Sequence, residues 1–215
     1  MSLPLIARAD LLIDRLEEPG AKLSLVTRPR LQNLKRLCVE FAGSDGAFVE
    51  CGVARGGCLA LMSFLAGPDR LVWGFDSFEG MPPLSEEDEG SGEFFVGIQI
   101  SGPEGEGAVA TTFNTLGLTM DNVRLVKGWF EESVPPRVDE IGEIAILRLD
   151  NDWYRSTRFC LETLYDRVIP GGAVIIDDYY DFTGCRKAVD EFRDARGIKA
   201  PLHVTDPENE VYWLK

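Results

Sequence analysis

The sequence predicts an α/β fold: a mostly parallel sheet flanked by helices and closed by an antiparallel C-terminal hairpin. From about residue 47, short β-branched runs alternate with stretches of helical periodicity, the pattern of strand and crossover helix. The last two apolar runs flank DPENE, whose Pro and Asn suit a turn, so they pair antiparallel. A length of 215 residues fits one domain with a substantial core.

Residues 1–46 hold two helical patterns, the second with Leu31, Leu34 and Leu37 spaced along one face and Arg28, Arg30, Lys35 and Arg36 between them. They read as a helical cover on the sheet edge, ahead of a main domain over 47–215. Their apolar face either covers the chain's own sheet or pairs with a second copy, a homodimer. The opening MSLPLIARADLLIDRLEEPG mixes acids with apolar residues and lacks a small-residue cleavage site, so it reads as an amphipathic helix rather than a signal peptide. Strands are expected at Ala47–Cys51, Leu71–Asp76, Val123–Val126, Ile144–Asp150 and Val174–Asp178, then at Leu202–Thr205 and Val211–Leu214, seven in all. Helices are expected at Cys58–Leu65, Val109–Leu116, Ser156–Tyr165 and Cys185–Ala195.

Composition removes several functions. With 36 acidic and 22 basic side chains the net charge is −14, which repels nucleic acid and anionic membrane surfaces. No apolar run approaches the roughly 20 residues of a membrane helix. Five scattered cysteines (Cys38, Cys51, Cys58, Cys160, Cys185), with no CxxC spacing, read as reduced core thiols, and the cytoplasm is the expected compartment. His203 is the single histidine, which rules out HExxH and three-histidine zinc sites. Chemistry must therefore run on carboxylates, cations or a cofactor.

Three places could carry it. After the first strand, Glu50-Cys51-Gly52-Val53-Ala54-Arg55-Gly56-Gly57 opens into a helix, and such glycines let backbone N–H groups approach a nucleotide-like ligand. Asp76 ends the second strand about 20 residues later, where an acid accepts ribose hydroxyls or caps the next turn. Asp150 and Asp152 end the fourth strand, and Asp177 and Asp178 the fifth. Neighbouring parallel strands would crowd these acids at the C-terminal sheet edge, and a hard divalent ion, Mg²⁺ with Mn²⁺ and Ca²⁺ as alternatives, would relieve their repulsion. The alternative is that they cap helices. Arg148 would pair with these acids or contact substrate. Between strand two and the next helix, residues 77–110 carry eight acids and no Lys or Arg, either a cover for the site or a solvated insertion.

Taken together, FVECGVARGG, VWGFDSFEGMPP, VRLVKGWFEESVP, ILRLDNDWYRST, VIPGGAVIIDDYYDFTGCRKAVDEFR and the terminal VYWLK resemble, in order, the TylF/MycF-type macrocin O-methyltransferase family from about Thr27 onward. That resemblance implies a Rossmann-like class I methyltransferase that transfers a methyl group from S-adenosylmethionine, with Mg²⁺, to a hydroxyl of a sugar or small natural product. It implies that Glu50, Gly52 and Gly56 lie beside the cofactor's methionine part, with Val53 and Asp150 also around the cofactor. Asp76 and Ser77 would hold its ribose, and Gly128 and Trp129 would border adenine. Thr27 and Arg30 match a segment that folds over it. Asp150, Asp177 and Asp178 would bind the metal, and Asp152, or else Asp150, would be the general base. Ala54 departs from the family's frequent bulky aromatic. The rival readings are an NAD(P)-dependent oxidoreductase and a catalytically silent cofactor-binding module.

Overall fold

A computed structural model of the chain describes residues 3–18, 20–21, 23–88, 92–205 and 209–215. Glu89, and Asp206, Pro207 and Glu208 of the expected turn, lie outside the described residues. The helices are α1 (Leu5–Leu16), α2 (Arg28–Glu40), α3 (Gly57–Ala66), α4 (Gly107–Leu116), α5 (Phe130–Ser133), α6 (Val138–Ile141), α7 (Tyr154–Leu164) and α8 (Thr183–Ala195). The strands are β1 (Ala47–Cys51), β2 (Val72–Asp76), β3 (Val123–Lys127), β4 (Ile144–Leu149), β5 (Val168–Ile176), β6 (His203–Val204) and β7 (Val211–Leu214).

The seven strands stand in the order β3-β2-β1-β4-β5-β7-β6, parallel through β5 and antiparallel at β7 and β6. Strands β1 and β4 are buried along their whole length, which is why they read as continuous apolar runs. Phe48, Ile146, Ala173 and Ile175 face a layer built with α1 to α4. Val49, Leu147, Val174 and Ile176 face the opposite layer, where Leu161, Val189 and Phe192 pack from α7 and α8. The five cysteines are free and buried.

Strand order reverses between β1 and β4, and open α/β sheets bind ligands in the crevice at such a point. Pairing continues past the strand ends there: Asp150 N–H donates to Cys51 O at 2.9 Å and Asp177 N–H to Leu149 O at 2.9 Å. The tips of β1, β4 and β5 are thus tied side by side.

Two expected elements need correction. Strand β5 starts at Val168, six residues earlier than Val174, and stops at Ile176, so Asp177 and Asp178 stand just beyond it. Its Pro170-Gly171-Gly172 reads as a breaker, but Gly171 N–H donates to Lys215 O (2.7 Å) and Gly172 O accepts from Lys215 N–H (2.9 Å), so the C-terminal segment satisfies it. Strand β6 shrinks to His203–Val204, where His203 is exposed and stacks on Tyr212 at 4.8 Å. Helices α5 and α6, four residues each, are too short for periodicity to show.

Gly52 has φ +88°, and a Cβ there would lie 1.8 Å from Asp150 O, backbone that cannot yield. Gly52→Ala should therefore destabilise the fold by at least about 3 kcal/mol, read as loss of soluble protein or a lowered denaturation midpoint. Gly43→Ala, where nothing lies within 4 Å, should stay close to the parent.

Candidate active site

The C-terminal ends of β1, β2, β4 and β5 open into one cavity of about 690 Å³. On its β1 side, Glu50, Gly52 and Val53 line the wall. Asp76 holds this turn in place: its Oδ2 accepts the N–H groups of Val53 (2.9 Å) and Ala54 (2.8 Å), and its Oδ1 accepts that of Phe78 (2.7 Å). Asp76, Ser77, Gly128 and Trp129 all line the cavity beyond β2 and β3. Thr27 and Gly56 stand behind the lining. Thr27 Oγ1 accepts from Arg30 Nε at 3.2 Å, and a Cβ on Gly56 would meet the Val109 side chain at 2.9 Å.

The acids converge as their spacing predicts. Asp150, Asp177 and Asp178 each offer an oxygen within 4.8 Å of the others, and all three line the cavity with Asp152. Two charges at that separation repel by about 3.5 kcal/mol at an effective dielectric near 20. Arg148 answers part of this. Wholly buried, it donates from Nη1 to Glu50 Oε1 and Asp150 Oδ2, both at 2.8 Å, and from Nη2 to Asp177 Oδ1 at 2.5 Å. Arg30 of α2 reaches the other Asp177 oxygen at 2.6 Å. Of the two roles open to Arg148, the geometry shows ion pairing.

Five carboxyls (Glu50, Asp150, Asp152, Asp177, Asp178) face two guanidiniums here, and the proton affinities of Glu50, Asp152, Asp177 and Asp178 rise. Burial pushes Glu50 up to about 8 against the pull of Arg148. Asp177 is raised to about 6, again by burial with Arg148 opposing. Asp178 stands well above the carboxylate range through burial and the charge of Asp152, and Asp152 likewise through burial and Asp150. Two buried oxygens, Glu50 Oε2 and Asp178 Oδ2, have no hydrogen-bond partner. Hard and unsatisfied, these oxygens fit cations, whose binding would displace the carboxyl protons: an ammonium beside the glycine turn and a divalent ion at the three aspartates.

Residues 9–215 match the sequence profile of the macrocin-O-methyltransferase (TylF) family. This chain belongs to that family. Among its relatives is the mycinamicin III 3''-O-methyltransferase of Micromonospora griseorubida, 35% identical over 210 residues, covering 92% of this chain and 80% of the relative. A second is the 8-demethyl-8-(2,3-dimethoxy-alpha-L-rhamnosyl)-tetracenomycin-C 4'-O-methyltransferase of Streptomyces olivaceus, 37% identical over 209 residues, covering 91% of this chain and 76% of the relative. Among solved structures, the O-methyltransferase NovP superposes with a TM-score of 0.81 at 28% identity, covering 99% of each chain. The macrocin O-methyltransferase family membership makes the protein an S-adenosylmethionine-dependent O-methyltransferase and sets the oxidoreductase reading aside. No described helix is long and apolar enough to cross a membrane.

Sequence reasoning missed Glu210, assigned to a turn. It is buried just ahead of β7, its Oε1 accepts from Asn33 Nδ2 at 2.9 Å, and burial with the nearby Asp177 charge raises it to about 8. An acid whose folded value lies above its unfolded value of about 4.3 contributes stability that is complete below that value and lost as pH rises through the folded one. Ligand-free protein should thus melt lower at pH 8.5 than at pH 5. Glu210→Gln, which keeps an oxygen for Asn33, should raise the midpoint by about 3 °C or more at pH 8.5 and by clearly less at pH 5, by calorimetry.

Proposed function

We propose that the protein methylates a hydroxyl of a sugar or sugar-like natural product, with Mg²⁺ held by Asp150, Asp177 and Asp178. The observation that carries this is that two buried carboxyl oxygens on residues lining one cavity, Glu50 Oε2 and Asp178 Oδ2, have no hydrogen-bond partner. A cationic donor and a hard dication satisfy one each. The relatives' names support the acceptor class: one acts at a 3''-position of mycinamicin III, the other at a 4'-position of a rhamnosyl tetracenomycin.

Methyl transfer is an in-line displacement, in which the acceptor oxygen forms a bond to the methyl carbon as the sulfonium sulfur leaves with the electron pair. The site must align these atoms and remove the hydroxyl proton. When bound, the metal supplies Lewis acidity that lowers the pKa of an acceptor hydroxyl. Asp152 lines the cavity outside the three clustered oxygens, which leaves it to take the proton; Asp150 is the alternative. Glu50 binds the ammonium of the methionine part, and Asp76, with its turn already braced, faces the ribose. Met81, Pro82, Trp153 and Phe182 give the chamber an apolar wall that excludes water.

S-Adenosylhomocysteine should raise the denaturation midpoint, with a further rise on adding Mg²⁺. Absence of any shift with saturating ligand would remove this reading, and a shift without methylated product would favour the silent cofactor-binding module. Asp178→Asn should abolish metal-dependent methylation across a panel of 6-deoxyhexosides and weaken Mn²⁺ binding at least about tenfold, while S-adenosylhomocysteine affinity stays within about threefold by calorimetry. Equal loss of both would mean that the acids are structural.

A further inference from the structure

The acidic insertion is not simply solvated. Asp88 within it is only 1% exposed, and its carboxylate is fully engaged. Oδ2 accepts the Ser85 N–H at 3.0 Å and the Ser85 hydroxyl at 2.6 Å. Oδ1 reaches across the cavity rim to accept the N–H of Tyr154 at 2.8 Å, 66 residues away in sequence. Tyr154 is the first residue of α7, and Trp153 ahead of it makes no capping bond, so the helix takes its cap from the insertion.

Gly184 supplies an independent sign that this contact is built in. It lies within α8 with no left-handed backbone, where glycine is a poor helix former. A Cβ on it would stand 1.8 Å from Asp88 Oδ1 and 3.2 Å from Tyr154 N. The glycine is there to admit the carboxylate. Around the same spot Trp153 Nε1 donates to Pro82 O at 3.0 Å, and the rings of Phe95, Phe182 and Trp153 meet edge to face at 5.9 and 5.0 Å.

We propose that Asp88 is the latch that turns the acidic insertion into a wall of the acceptor chamber, a positioning residue that fixes this wall to the helix following Asp150 and Asp152. Tyr154 stands two residues after Asp152, so the chamber wall and the catalytic turn move as one body, and the chamber's width, hence the acceptor it admits, is set by this bond. Calling the chamber the acceptor's rests on the proposed methyl transfer; the latch itself does not.

Hydrogen exchange of the full chain, read by mass spectrometry with and without S-adenosylhomocysteine, tests it. Asp88→Ala should speed exchange over residues 82–88 and 92–101 by about tenfold or more and leave β1, β4 and β5 within about twofold. Asp88→Asn keeps an oxygen for the Tyr154 N–H and should restore much of the protection. Gly184→Ala, although a better helix former, should reproduce Asp88→Ala, and the double variant should add nothing. S-Adenosylhomocysteine affinity should stay within about threefold in all four variants. Unchanged protection of the insertion in Asp88→Ala, wild-type behaviour of Gly184→Ala, no recovery in Asp88→Asn, or loss spread evenly through β4 and β5 would overturn the latch. Failure of the parent protein to bind S-adenosylhomocysteine would instead count against the methyl-transfer reading, since the exchange measured without ligand reports the latch alone.

Discussion

A guanidinium with no access to water, Arg148, is the interaction on which the rest of the site depends. Its planar fork reaches carboxylates from three neighbouring strand ends, Glu50 of β1, Asp150 after β4 and Asp177 after β5. Losing one partner of such a buried set costs about 3–5 kcal/mol, because the charges left behind have no solvent to turn to. Two proposed half-sites meet at this side chain: the glycine turn for the donor, and the aspartates suited to a metal.

The same arrangement makes the site suited to cations. Arg30 and Arg148 neutralise part of the carboxylate charge and leave Glu50 Oε2 and Asp178 Oδ2 unsatisfied. Sheet topology produces this crowding. Parallel neighbours end at one edge, and continued backbone pairing past Cys51 and Leu149 holds the tips side by side.

Most of this was legible in the sequence because it depends on local pattern. Strand and helix alternation, the glycine turn after Cys51 and the paired acids after two apolar runs each signal themselves within a few residues. What escaped depends on long-range partners. Asp88 reads as one acid among eight until Tyr154 and Gly184 close around it, and Glu210 reads as part of a turn until Asn33 reaches it from α2. Strand β5 runs through Pro170-Gly171-Gly172 only because Lys215 supplies the missing bonds. Pairing of Arg148 with the acids after β4 and β5 was one of its two legible roles, and Asp150 two residues on shares its strand face, whereas Glu50, 98 residues away, was not legible as a partner.

Ala54, Phe78 and Asp152 adopt left-handed backbone, with φ of +49°, +55° and +59°; each follows a strand end, of β1, β2 and β4 respectively, and each lines the cavity. L-Residues hold that conformation at a cost of roughly 1–3 kcal/mol each, so the molecule concentrates this strain in the walls of the cavity. A breeding programme that rewarded heat resistance alone would drift these three positions toward glycine. The proteins it selected would be sturdier and would bind less well, having traded away the side chains that shape the chamber.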